Sequence, residues 1–97
     1  MPKAYWITVY REIKDPTKVA NYAKLAPPAL APFGVRYLCR GVAQATFEAG
    51  QKERVVVAEF PSLAQAVAGH DSPGYQAALK ALGDGAVRDI RIIEALE

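Results

Sequence analysis

The 97-residue sequence predicts an α+β fold: a four-stranded antiparallel sheet with two helical segments on one face, in the order β-α-β-β-α-β. Four segments are rich in β-branched and aromatic residues, as strands are. Two intervening segments carry apolar residues at helical spacing. A short turn joins the second and third strand segments, as in a β-hairpin. We expect residues 1–97 to form one domain, because a chain of this length has room for one hydrophobic core.

The first strand and the first helix have clear signals. Residues 4–11 (AYWITVYR) have the composition of a strand. The helix begins at Asp15-Pro16, because aspartate can cap free backbone N–H groups and proline suits the first helical position. Gly34, which can adopt a left-handed conformation, ends it. Pro27-Pro28 predicts a kink or a fresh start, since proline lacks the N–H that bonds the carbonyl four residues earlier.

The middle of the chain predicts the hairpin. The second strand covers residues 35–40 and continues past Gly41 towards Phe47, with Gly41 as a candidate bulge. Residues 48–51 form the turn. Residues 54–60 (RVVVAEF) are the third strand.

The second helical region is predicted in two parts. Pro61-Ser62 begins it with a capping serine, and the helix loosens at Gly69-His70. Ser72-Pro73 restarts it, because a serine cap again precedes a proline. Residues 83–85 (GDG) stop it, and residues 90–96 (IRIIEAL) form the last strand.

Strands one, three and four are apolar on both faces, so each needs cover on both sides. Two strand–helix–strand units joined by a hairpin favour the ferredoxin-like sandwich, in which both helices lie on one face of the sheet. We therefore expect a second copy of the chain to cover the other face, in a homodimer. In the first strand the two faces are Tyr5, Ile7 and Val9 on one side and Trp6, Thr8 and Tyr10 on the other.

Composition narrows the range of partners and cofactors. Twelve basic and ten acidic residues give a net charge of +2 and are scattered singly, so we expect no nucleic-acid binding. No signal peptide and no apolar run of about 18 residues is evident, which predicts a cytoplasmic protein that does not enter a membrane. One cysteine, Cys39, and one histidine, His70, cannot form a disulfide or a four-ligand zinc site. We expect no metal, no cofactor and a buried Cys39.

Several short motifs occur in order along nearly the whole chain. They are Ala4-Tyr5-Trp6, Asp15-Pro16, Phe33-Gly34 leading to Tyr37-Leu38-Cys39-Arg40-Gly41, Arg54-Val55-Val56-Val57 with Glu59-Phe60-Pro61-Ser62, and Ser72-Pro73-Gly74-Tyr75-Gln76. This series resembles the domain-of-unknown-function 1330 family of the dimeric α/β-barrel superfamily. The resemblance implies a ferredoxin-like protomer whose sheet packs on a partner's sheet to form a barrel.

The resemblance leaves the function open. The superfamily includes cofactor-free monooxygenases, muconolactone isomerases, chlorite dismutases and dye peroxidases, whereas the family itself has no settled activity. The chain also departs from the family pattern, because Gly69-His70 stands where an aromatic pair commonly precedes the Ser-Pro turn. This departure predicts a larger or more exposed end of the ligand cleft.

Four residues are predicted to bind a ligand between the helices and the sheet. Tyr22 and Tyr75 lie on the inner faces of their helices, and each presents an apolar ring and a hydroxyl. Arg40 and Arg54 could clamp a carboxylate or phosphate, because guanidinium offers paired planar donors. Core packing would explain the tyrosines equally well, and an ion-pair ladder across the hairpin would explain the arginines.

Two residues are candidates for moving a proton. Glu59 stands in an otherwise apolar strand, so it is either paired with Arg36 or Arg40 or has a raised pKa suited to proton transfer. His70 titrates near neutral pH and lies at a helix break, which can face a cleft. The alternatives are a structural ion pair for Glu59 and an exposed helix-end position for His70.

The sequence supports three hypotheses for function. The first is a small-molecule-binding protein or cofactor-free enzyme that acts on a small organic acid in a cleft between helices and sheet. The second is a non-catalytic homodimeric module for ligand sensing or assembly. The third is a haem-binding relative, which would need an axial histidine facing an open cavity, and His70 is the one histidine present.

Overall fold

The structure, a computed structural model, describes residues 2–96. Its elements are β1 (Ala4–Ile13), α1 (Pro16–Leu30), a 3₁₀ turn (Ala31–Phe33), β2 (Arg36–Val42), β3 (Arg54–Phe60), α2 (Leu63–Asp71), α3 (Pro73–Leu82) and β4 (Ala86–Glu94). The strands form one antiparallel sheet in the order β2-β3-β1-β4. This is the predicted ferredoxin-like α+β arrangement, with the second helical region divided into α2 and α3.

Polar side chains begin all three helices, as the sequence predicts. Asp15 caps α1 by accepting hydrogen bonds from two backbone N–H groups of the first turn. Ser62 caps α2, and Ser72 caps α3 by accepting from Tyr75 N at 3.3 Å. The Ser72 hydroxyl also donates to Gly69 O at 2.7 Å, so one side chain joins the end of α2 to the start of α3.

The first helix corrects one prediction. α1 continues through Pro27-Pro28 to Leu30, so the predicted fresh start is wrong. The two prolines remove only their own two N–H donors, and the hydrogen bonding resumes after them, since Ala31 N–H bonds to Pro27 O. Gly34 then adopts the left-handed conformation, with φ of 83°, and ends the segment as predicted.

The second strand corrects two more predictions. β2 ends at Val42 instead of running towards Phe47, whose side chain is 82% exposed. The bulge lies between Tyr37 and Cys39 rather than at Gly41, which stays in regular register with β3. The bulge shifts the alternation of side chains within β2.

The sheet has one covered face and one open face. Alternate side chains of β1 and β3 point to the helices and are buried. They form most of the core, because packing between the helices and the sheet removes their apolar surface from water. The covered face includes Ala4, Trp6, Thr8, Tyr10, Ala58 and Phe60. The apolar side chains of the open face stay partly or well exposed in the single chain, and they are Tyr5, Ile7, Val9, Val55, Val57 and Ile93.

Candidate functional site

A cleft lies between α1 and the covered face of the sheet, and it holds a cavity of about 40 Å³. This space accepts a group of a few non-hydrogen atoms, such as a carboxylate, or a few water molecules. Helical spacing places one stripe of α1 along the cleft, and strand alternation supplies the opposite wall. The lining residues are Trp6, Thr8 and Tyr10 of β1; Tyr22, Ala23, Ala26, Pro27 and Leu30 of α1; Tyr37 and Arg40 of β2; Arg54, Val56 and Ala58 of β3; and Arg88 of β4.

Three arginines from three strands line this cleft. Arg54 and Arg88 are half-buried, and Arg40 is exposed. The lining residues, all within the described range 2–96, include no aspartate, glutamate or histidine. The cleft is therefore strongly positive, since an arginine side chain keeps its charge at any pH that a protein tolerates.

Arg88 is the most enclosed of these cations. Its guanidinium carbon lies 4.5 Å from the centre of the Tyr22 ring and 5.6 Å from that of Tyr10. These cation–π contacts hold the guanidinium against two aromatic rings. Arg88 Nη1 is buried and has no hydrogen-bond partner within residues 2–96. A buried charged donor without an acceptor is costly, so this atom marks a position that an anion would satisfy.

The tyrosines of the site act as neutral hydrogen-bonding groups. The hydroxyls of Tyr22 and Tyr75 lie 2.6 Å apart, and either can donate to the other. Burial, with a smaller effect from Tyr22, raises the pKa of Tyr75 far above its usual range. Burial also raises the pKa of Tyr37, with Tyr22 adding to the shift and Arg40 opposing it. The phenols of Tyr37 and Tyr75 therefore stay protonated at neutral pH.

The structure brings three of the four predicted ligand-binding residues together. Tyr22, Arg40 and Arg54 line the cleft. Tyr75 is fully buried behind Tyr22 and reaches the site through their hydrogen bond. Arg40 and Arg54 contact tyrosine rings, and neither is among the salt bridges within residues 2–96, so the alternative ion-pair ladder is wrong.

Sequence reasoning missed Arg88 because it began the last strand at residue 90. β4 begins at Ala86, so Arg88 alternates with Ile90 and Ile92 and shares their covered face. Arg88 is paired with Tyr10 of β1, which places its side chain at the cleft. The alternation Arg88, Ile90, Ile92 was the signal available in the sequence.

Glu59 lies outside the cleft, on the open-face side of β3. It forms ion pairs with Lys3 (2.7 Å) and Arg36 (3.9 Å), and its side chain is 8% exposed. Of the two predicted cations, Arg36 is a partner because it is in register with Glu59. Arg40 is in register with Val56 and lies on the covered face. The structure thus places Glu59 in a structural ion pair, away from the arginine cleft.

His70 also lies outside the cleft, in the last turn of α2. Its Nδ1 is 2.9 Å from Asp71 Oδ1, and its ring packs against Trp6 and Tyr75 with centroid distances of 5.7 and 5.3 Å. The adjacent Gly69 leaves no extra space, because a Cβ there would come within 3.1 Å of Leu30 Cδ2. The predicted enlargement of the cleft at this end is therefore wrong.

Two further observations concern metals and thiols. In residues 2–96, the His, Cys, Asp and Glu side chains form no group of three that could hold a metal ion. Cys39 is exposed in the single chain, contrary to the predicted burial, because its register with Val57 puts it on the open face.

Among the helices of the described residues, none has the length and apolar character needed to span a membrane.

The topology defines a ferredoxin-like α+β protein, and comparison with known proteins agrees. The family model of the domain of unknown function DUF1330 matches residues 3–96. The chain therefore belongs to this family, as the motif series predicts. No curated protein matches the chain with significance.

Solved structures share the fold at low sequence identity. A protein of unknown function from Rhodopseudomonas palustris superimposes with a TM-score of 0.76 at 18% identity, covering 99% of this chain and 84% of that one. A dimeric ferredoxin-like protein of unknown function from Thermobifida fusca gives 0.67 at 22%, covering 97% and 92%. The cofactor-independent oxygenase SnoaB from Streptomyces nogalater gives 0.67 at 10%, covering 100% and 96%. At these identities the likeness establishes the fold alone.

Proposed function

We propose that the protein binds a small organic acid, with the carboxylate in the cleft between α1 and the sheet. The observation that carries this proposal is the buried Arg88 Nη1, which has no acceptor within residues 2–96 and lies in a cleft whose lining lacks acidic side chains. Guanidinium binds carboxylates through paired, planar hydrogen bonds. Tyr22 and Tyr37, which line the cleft and are partly exposed, offer ring surface to the rest of the ligand.

A cofactor-free reaction on the bound acid is a second candidate. Three cations beside a protonated phenol at Tyr37 are groups that stabilise negative charge as it develops on a substrate. The oxygenase SnoaB, which has the same fold, works without a cofactor. The lining residues within 2–96 include no carboxylate or imidazole, so the geometry favours electrostatic stabilisation over proton abstraction by a side chain of this cleft.

We also propose that the chain forms a homodimer through its open face. Six apolar side chains on that face are partly or well exposed to water in the single chain, and covering them would be favourable. The solved neighbour from Thermobifida fusca is a dimeric ferredoxin-like protein, which supports the same association here. The cytoplasmic location stays a prediction.

Binding can be tested with the fluorescence of Trp6, which lines the cleft and is the one tryptophan of the chain. Benzoate is expected to change this fluorescence with saturation, and neutral benzyl alcohol to bind at least tenfold more weakly. Arg88→Gln is expected to weaken benzoate binding at least tenfold, because a hydrogen bond between charged partners contributes about 1.5–3 kcal/mol.

The control is Lys80→Gln, which removes an exposed cation of α3 that is not among the cleft-lining residues. It should bind benzoate as the wild type does. Arg54→Gln serves as a second cleft variant, with circular dichroism to verify folding of each protein. Equal binding of benzoate and benzyl alcohol, or full benzoate affinity in folded Arg88→Gln and Arg54→Gln, would rule the proposal out.

Measuring whether the bound acid is consumed distinguishes a cofactor-free enzyme from a non-catalytic sensing module. Candidate acids that bind are incubated with the protein in air, and their consumption is followed by NMR. Consumption of the acid by the wild type, together with no consumption by Arg88→Gln, supports catalysis in the cleft. Binding without consumption supports the non-catalytic alternative.

A further inference from the structure

We propose that the ligand carries two carboxylates, with Arg54 and Arg88 holding the inner one and Arg40 holding the outer one. This inference rests on the proposed function, because it takes for granted that the cleft binds an organic acid. It adds the class of ligand, a small aliphatic or aromatic dicarboxylate, and assigns one task to Arg54 with Arg88 and another to Arg40.

Arg54 and Arg88, which we call the inner pair, both lie next to the Tyr10 ring. The guanidinium carbons of Arg54 and Arg88 lie 6.0 and 5.6 Å from the centre of the Tyr10 ring, which is 2% exposed. Two like charges on one buried ring repel each other when nothing neutralises them. A single carboxylate beside Tyr10 offers acceptors to both, and it would satisfy the buried Nη1 of Arg88.

Arg40 occupies a different position in the site. β2 and β4 are the two edges of the sheet, and the register places Arg40 level with Ile90, two residues from Arg88. Roughly 16 Å therefore separates the backbones of Arg40 and Arg88, at about 4.8 Å per strand spacing and about 3.4 Å per residue. Arg40 is exposed and its guanidinium carbon lies 5.0 Å from the centre of the Tyr37 ring. It is absent from the salt bridges within the described part of the chain.

The charges of the cleft favour an occupant with more than one negative charge. Three arginines and no acidic lining residue leave a surplus of positive charge that a monocarboxylate cannot balance. A carboxylate at the inner pair leaves Arg40 free at the mouth. A second carboxylate, a few carbon atoms away, reaches Arg40 while the carbon chain lies against the rings of Tyr22 and Tyr37.

The experiment compares each dicarboxylate from malonate to adipate with its own monomethyl ester. The two molecules have nearly the same size and differ by one charge. Trp6 fluorescence at low ionic strength reports both affinities. At the best chain length the diacid is expected to bind at least tenfold more tightly than its ester, because the second carboxylate gains a charge-assisted contact. In Arg40→Gln that ratio should fall below about threefold, whereas Lys80→Gln, an exposed position outside the cleft, should keep it.

The outcomes separate this inference from the proposed function. If esters and diacids bind equally at every length, the dicarboxylate is wrong and binding of an organic acid still holds. If folded Arg40→Gln keeps the wild-type ratio, the task assigned to Arg40 is wrong. If inorganic phosphate binds as tightly as the best diacid, charge alone accounts for binding and the organic dicarboxylate is wrong. If benzoate, the esters and the diacids all fail to bind, the proposed function itself fails.

Discussion

At the scale of single residues, Tyr75 links the hydrophobic core to the cleft. It is fully buried and its hydroxyl is bonded to that of Tyr22, which lines the cleft. Because its pKa is raised in the folded state, the folded protein holds this proton when the unfolded chain has lost it. The stabilisation is complete below pH 10, the ordinary tyrosine value, and is lost as the pH rises above it, by up to about 1.4 kcal/mol per pH unit.

Tyr75→Phe should therefore reduce the alkaline loss of stability. Urea unfolding at about pH 8 and about pH 11 measures the free energy of unfolding in each protein. The variant is expected to lose about 1 kcal/mol at pH 8, since Tyr22 loses its partner, and to lose less than the wild type on going to pH 11. The control, Thr17→Ala at an exposed position with no titrating group, should show the wild-type pH dependence. If Tyr75→Phe and the wild type lost the same free energy of unfolding between about pH 8 and about pH 11, ionisation of Tyr75 would not account for the alkaline loss of stability.

The positions of Tyr22 and Arg54 could be predicted at this scale because each follows from the period of one helix or strand. Strict alternation in β2 would put Arg40 on the open face with Arg36, and the bulge between Tyr37 and Cys39 turns it to the cleft instead. The partner of Glu59 could not be predicted fully. Arg36 and Glu59 belong to a hairpin whose register the turn constrains, whereas Lys3 precedes β1 and reaches Glu59 through the register of two strands distant in sequence.

At the scale of elements, Ser72 joins two helices through one hydroxyl. Its oxygen accepts from Tyr75 N and donates to Gly69 O. Ser72→Ala is expected to lower the free energy of unfolding by about 1–2 kcal/mol, because it removes the cap of α3 and the bond that ends α2. Urea unfolding at neutral pH measures the change.

The matched control is Thr17→Ala, an exposed residue of the first turn of α1 whose backbone N–H keeps its bond to Asp15. Its effect should stay within about 0.5 kcal/mol. A cost for Ser72→Ala no greater than that of Thr17→Ala would show that α2 and α3 are held together by packing instead of by this cap.

Element types followed from the sequence more reliably than element ends. Asp15, Ser62 and Ser72 mark helix starts through local hydrogen bonds, so the neighbouring residues suffice to predict them. The bulge between Tyr37 and Cys39 depends on how β2 fits β3, which is a property of two elements together. The early start of β4 depends in the same way on pairing with the far end of β1.

At the scale of the whole molecule, the two faces of the sheet are both apolar, and each has its own explanation. The helices account for the covered face, and the cleft arises where α1 meets three arginine-bearing strands. The size of the cavity could not be predicted, because it depends on how the side chains of four strands and one helix fit together. The open face could be predicted, since it needs only the alternation within β1, β3 and β4.

The open face predicts how the molecule assembles. Ile7 lies near its centre, between Val57 and Arg91 on the neighbouring strands. Light scattering after gel filtration should give the wild type twice the 10.5 kDa mass of the chain. Val57→Glu should give the single-chain mass with unchanged circular dichroism, because its neighbours in register are Ile7 and Cys39. A carboxylate buried beside them in the dimer has no cation next to it and costs several kcal/mol, while in the single chain it lies in water. Leu25→Glu, on the helical side and 44% exposed in the wild type, should remain a dimer. A wild-type protein that stays a single chain at concentrations of about 100 μM would show that the open face is covered by something other than a second copy, or faces water.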